Sequence, residues 1–165
     1  MITPGYVQTM AAYNAEMNRR IYVAAGKMTD LERKEDRRLF WGSLHGTLNH
    51  LLWGDRIWMS RFAGWPKAAH PIKQSAQLYD DFAELSAERV RADAAISDWA
   101  TRMTQNWLDQ DLVWFSGSMQ REMKLSHQLC VVHMFNHQTH HRGQAHAALT
   151  YFGHDPGATD IPFVV

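Results

Sequence analysis

Apolar residues recur every three or four positions over four long stretches of this chain, the spacing that gathers them on one face of an α-helix. The first stretch runs from Pro4 to Ala25. Thr3 suits the N-cap, Pro4 the first helical position, where its missing N–H costs nothing, and Gly26 the stop. Thr29-Asp30-Leu31-Glu32 has capping-box spacing and predicts a short helical turn. A second long helix is expected from Arg37 to Phe62, ended by Gly64 and Pro66, with a loop from Ala63 to Gln74. The third is expected from Leu78 to Thr104. Leu78, Phe82, Leu85, Val90 and Ala94 form its stripe, and Asp80, Asp81, Glu84, Glu88, Arg89 and Arg91 a solvated face. The fourth runs from Ser126 to Phe152, with Ser126 as N-cap and Gly153 as C-cap.

The pattern changes between Leu112 and Leu125. Val113-Trp114-Phe115 and Met123-Lys124-Leu125 flank Ser116-Gly117-Ser118, which suits a small hairpin or an ordered loop. The tail from His154 to Val165 ends in apolar residues expected to pack back onto the helices. No internal repeat or linker interrupts the chain. The fold expected is all-α, a four-helix bundle forming a single domain over residues 1–165.

Charge and cysteine content narrow the function classes. Lys+Arg and Asp+Glu are both 17, so there is no basic excess of the kind nucleic-acid binders carry, and no nucleic-acid partner is expected. No apolar run approaches a membrane span, and Met1-Ile2-Thr3-Pro4-Gly5 does not resemble a signal peptide. The single cysteine, Cys130, excludes an intramolecular disulfide and reads best as a small buried hydrophobe. A cytoplasmic protein without membrane contact is the resulting expectation. Seven Trp and nine Met suit a core of large, adaptable side chains.

Histidine changes this ordinary picture. There are ten, and His133, His137, His140, His141 and His146 share the fourth helix. Residues four apart lie one turn apart on one face, so His137 and His141 can converge on one ion, as can His133 and His137. Cys130, Met134, Gln144, Ala148 and Tyr151 point roughly the same way, so the stripe is otherwise apolar or weakly polar. His146 falls on the opposite face and is expected in solvent. A third ligand must come from another helix, and the second offers His45 and His50, far apart around the wheel. His50 is preferred because Ser43, Gly46, Thr47 and Gly54 form a small-residue collar that lets a neighbouring helix come close. Leu39 and Ile57 mark the same side as buried. His133 and His140 remain rivals on spacing alone, and an i,i+4 histidine pair often binds nothing.

Three stretches resemble the DinB family, within the DinB/YfiT-like superfamily of metalloenzymes. They are Tyr13-Asn14 with Met17-Asn18, Gly42 to His50 continuing through Asp55-Arg56-Ile57-Trp58 to Arg61-Phe62, and Asn136-His137-Gln138-Thr139-His140-His141-Arg142-Gly143-Gln144. The Asp160-Ile161-Pro162 tail is similar too. The resemblance implies a four-helix bundle with a three-histidine metal site, its ligands falling on His50, His137 and His141, and a homodimer.

Three neutral imidazoles suit zinc or nickel, and also iron or copper, and leave a coordination position open. One divalent ion is therefore the expected cofactor. Superfamily relatives include S-transferases and an isomerase that use low-molecular-weight thiols. Thiol transfer is thus the first expectation and metal-assisted hydrolysis the second. A non-catalytic metal-binding stress-response bundle is the alternative, and a plain bundle with satisfied core histidines the bland one. No general base is assigned, and Asp55, Gln144 and Tyr13 are candidates for it by residue type. Asp55 could instead only pair with an arginine, Gln144 only orient a ligand, and Tyr13 only fill the core.

Overall fold

The computed structural model describes residues 1–117 and 119–165. Helix α1 spans Pro4–Ala25, with the Thr3 hydroxyl accepting from the Tyr6 amide as its cap. The capping box forms as expected, and Thr29 opens α2, Asp30–Lys34. Helix α3 is Leu44–Phe62, α4 is Phe82–Thr101, α5 is Gln105–Leu108, α6 is His127–Tyr151 and α7 is Ile161–Val164. Strands β1, Asp111–Ser116, and β2, Arg121–Ser126, make the antiparallel hairpin, with Leu112 opposite Leu125. Ser118 of its expected turn lies outside the described residues.

Two helices begin later than expected. The second starts at Leu44 rather than Arg37, because Ser43 caps it by accepting from the Gly46 amide. Residues 37–43 instead form a tight turn in which Arg38 and Gly42 take positive φ, 56° and 78°. The third starts at Phe82 rather than Leu78, with Asp81 accepting from the Glu84 amide. Part of the expected loop is also ordered, as a 3-10 turn at Ile72–Gln77. At the tail, α7 comes up against α1, but Ile161 and Phe163 stay 38 % and 82 % exposed, so apolar burial is not what anchors it. Thr159 and Ala158 dock instead, their carbonyls accepting from Tyr13 Oη at 2.7 Å and Arg20 at 3.2 Å.

The four long helices close a ring in which α1 packs on α4 and α6, and α3 packs on the same two. Two apolar clusters fill it. One joins Val7, Met59, Phe62, Ile96, Trp99 and Phe135, and the other joins Ile21, Leu48, Leu52, Leu85 and Leu149. The first cluster takes the start of α1 and α6 but the end of α3 and α4. The helices therefore run as two parallel pairs, antiparallel to each other. A belt of buried polar residues separates the clusters at mid-height: Asn14 and Asn18, Asp55, Arg89, Gln138 and Arg142.

Parallel α3 and α4 require a connection that returns along the bundle. Residues 63–81 make that return beside α3. Trp53 Nε1 donates to the His70 carbonyl at 2.7 Å, His50 meets Ser75, and Asn49 accepts from the Tyr79 amide at 2.8 Å. The crossover thus delivers a serine to a histidine twenty-five positions upstream.

Candidate metal centre

Among the described residues, one group of three metal-ligating side chains brings its donor atoms together: His50 from α3 with His137 and His141 from α6, all within 4.8 Å of one another. The one-turn spacing on α6 brings the His137 and His141 ring centroids to 4.5 Å. Close approach of the helices supplies the third. Gly54 sits against His137, and a β-carbon there would lie 2.9 Å from its Cε1. Gly46 is equally tight, against the Trp41 carbonyl and Ala76. Of the small-residue collar, Gly54 is the member that lets a neighbouring helix come close, while Gly46 makes room for the turn at Trp41 and the crossover at Ala76.

Neighbouring groups fix the ring orientations. His141 Nδ1 lies 2.7 Å from Gln144 Oε1, which can only accept, so Nδ1 carries the proton and Nε2 keeps a lone pair. His50 Nδ1 lies 2.8 Å from Ser75 Oγ, and with Nδ1–H donating, Nε2 is left free in the same way. His50 Nε2 and His137 Nε2 are 3.0 Å apart. Two nitrogens on one tetrahedral ion would sit about 3.3 Å apart, so little movement separates this arrangement from a ligated one. A hydrogen bond on the far ring nitrogen is the usual support of a metal-bound imidazole. The donor set fits a divalent ion.

Burial keeps these rings neutral. It pulls the His50 pKa down to about 3, helped by the charges His137 and His141 would carry, and His137 down to about 4, helped first by His141. Burial lowers His141 as well, against the Gln144 hydrogen bond, which raises it. In the unfolded chain each would titrate near 6.5. Depressed folded values mean that the unfolded chain binds protons first on acidification. The rings' contribution to stability is thus complete above about pH 6.5 and is lost as pH falls toward 4 and below. In metal-free protein, the His50 and His137 imidazole nitrogen resonances are expected to keep their neutral shifts at pH 5. Titration of either near 6.5 would show the rings to be solvated.

The rival histidines lie elsewhere. His133 is exposed, edge-on to Trp58 at 5.1 Å, and His140 is exposed beside His141. His45 is buried but turns away, Nε2 meeting the Tyr79 carbonyl at 2.8 Å. His146 does lie on the opposite face, yet it is half-buried under the tail rather than in solvent. Tyr151 leaves the stripe altogether and is 70 % exposed. Of the candidate bases, Gln144 alone touches a site histidine. Asp55 pairs with Arg89 at 2.6 Å and accepts from Gln138, while Tyr13 lies across α6 from the site. Cys130 is buried in the first apolar cluster, its thiol pKa raised by burial. Two site neighbours carried no signal in the sequence pattern: Ser75 and Trp41, whose ring stacks on His50 at 4.0 Å and 24°.

A four-helix bundle with three inward imidazoles from two helices, the outer nitrogens of His50 and His141 anchored by side chains, belongs with helical proteins able to hold a metal ion. This chain belongs to the DinB family, whose model matches residues 1–165, its whole length. A search among curated proteins found no match. Among the described residues no helix is long and apolar enough to cross a membrane.

Proposed function

We propose that His50, His137 and His141 hold one divalent ion, zinc or nickel before iron or copper, and that the protein is a metal-dependent enzyme acting on a low-molecular-weight thiol. The observation that carries the reading is the anchoring of His50 and His141 through their Nδ1 atoms, which turns Nε2 lone pairs toward a common point. An ion held by three protein ligands supplies Lewis acidity at its open position. Gln144 and Ser75 keep the ligand tautomers, and the Trp41 face shields His50 from water.

A thiol is favoured over water as nucleophile because no candidate base is free. Asp55 is committed to Arg89 and Gln138, and a thiol, ionising near 8.5, needs far less help than water. Metal-assisted hydrolysis therefore ranks second. One observation favours a non-catalytic metal-binding bundle instead: a cleft of about 640 Å³ opens on the other side of α6 from the histidines. We also place the protein in the cytoplasm as a homodimer, in keeping with its lone cysteine and its family.

The test is elemental analysis after zinc or nickel loading, followed by assay of thiol transfer to an electrophile with and without chelator. One ion per chain and chelator-sensitive transfer support the enzyme. One ion without thiol-dependent or hydrolytic turnover supports the binding bundle. No bound ion overturns both.

A further inference from the structure

A cleft of about 640 Å³ opens between α1, α6 and the tail. Thr139, Gly143 and His146 on its wall lie about 200°, 240° and 180° around α6 from His137, so it is separate from the histidine centre. Tyr13, Met17 and Ile21 line it from α1, and Thr159 from the tail. Its size falls within the roughly 300–1,000 Å³ of small-molecule pockets.

Arg142 also lines it and is only 4 % exposed. Its guanidinium donates to Asn14 Oδ1 and to Thr139 Oγ1 and lies over the Tyr13 ring at 5.4 Å. Both acceptors are neutral. Arg89 has Asp55 at 2.6 Å and Asp93 at 2.8 Å, whereas no carboxylate of the described residues lies within 4.0 Å of Arg142. Asp55 and Asp93 act on it only at longer range. A guanidinium keeps its charge at neutral pH. Two of its five N–H groups have acceptors here, so a cation with donors to spare lines the cleft without a counterion in contact.

We propose that this cleft binds a small monocarboxylate with an apolar tail, its carboxylate on Arg142 and its chain against Met17 and Ile21. Arginine pairs with a carboxylate through two parallel hydrogen bonds, and the apolar wall suits a hydrocarbon body. Asp160 stands exposed at the rim, where its charge selects against a dianion such as phosphate. The proposal does not rest on the metal reading.

Gly143 makes the test clean. A β-carbon there meets nothing within 4 Å, so a side chain can start from Gly143 without backbone strain, and Gly143→Leu puts an isobutyl group on the cleft wall and adds helix propensity. Full-length protein is titrated by calorimetry with octanoate, octanol and inorganic phosphate. The expected result is saturable octanoate binding, with octanol and phosphate weaker by about tenfold or more. Gly143→Leu and Arg142→Gln are both expected to lose octanoate while metal content stays unchanged. If Arg142→Gln fails to fold, Gly143→Leu still decides. Absence of octanoate binding, equal binding of octanol or phosphate, or undiminished binding by Gly143→Leu would each overturn the proposal.

Discussion

His137→Ala is expected to lose the bound metal while keeping the helical fold. The three rings form a nearly equilateral triangle, with centroid distances of 5.0 Å from His137 to His50, 4.5 Å from His137 to His141 and 4.7 Å from His50 to His141. Without His137, two imidazoles from different helices remain, and a divalent ion held that way exchanges with solvent. The loss should exceed the roughly 10- to 100-fold that follows removal of a supporting partner, the range expected for Ser75→Ala at His50 Nδ1. Gly54→Val gives a reading that leaves every ligand in place. Its β-carbon alone would approach His137 Cε1 to 2.9 Å, so the ring must swing away and affinity should fall with it. Elemental analysis with circular dichroism checks all three variants. One ion per chain retained by His137→Ala but lost by His133→Ala would move the site one turn along α6.

Local rules located the elements that local chemistry decides. Thr3, Pro4 and Ser126 place the starts of α1 and α6 because a cap is a contact between near neighbours. The same holds for the capping box at Thr29. The second helix was misplaced at its start because Arg37 to Trp41 share its apolar spacing. The Ser43 cap and positive-φ Gly42 are what stop it there. At the site, i,i+4 spacing and the small residues of the second helix narrow the ligands to His50 and a pair from the α6 cluster, and the family resemblance selects His137 and His141 over His133 and His140. Ser75 was not legible: nothing near it in sequence points to His50, and its place depends on a crossover that only the parallel order of α3 and α4 requires. The same dependence hid Trp41, which reaches His50 because the turn at 38–42 folds back on α3. For Asp55 the plainer of its two readings holds, pairing with an arginine, and the partner, Arg89, comes from another helix.

That pair yields the largest expected effect on stability. Arg89 is 2 % exposed, with Asp55 at 2.6 Å on one side and Asp93 at 2.8 Å on the other. Burial works to lower its pKa, and the Asp93 and Asp55 charges outweigh it, so the guanidinium is held more firmly protonated than usual. Arg89→Met leaves both carboxylates in the polar belt without their cation. The cost expected is ~3–5 kcal/mol, on the scale of a broken buried pair. For a chain of this length that lowers Tm by roughly 10 °C. Urea unfolding with an unchanged slope is the check.

The pH dependence separates stranded charge from lost packing. Asp93 is already pushed up to about 6 by burial, against the pull of Arg89. Without the arginine, Asp93 should hold its proton still more tightly in the folded chain than in the unfolded one, where it titrates near 3.9. Protons then favour the folded variant, so its deficit against wild type is largest at neutral pH and shrinks between about pH 7 and 5. A cavity left by the shorter side chain would cost the same at both. Adding Asp55→Asn to Arg89→Met removes one stranded charge and keeps an oxygen for Gln138, whose amide Asp55 accepts. The double variant should therefore be more stable at neutral pH than Arg89→Met alone. A double variant that is less stable, with a deficit flat in pH, would assign the belt's contribution to shape rather than charge.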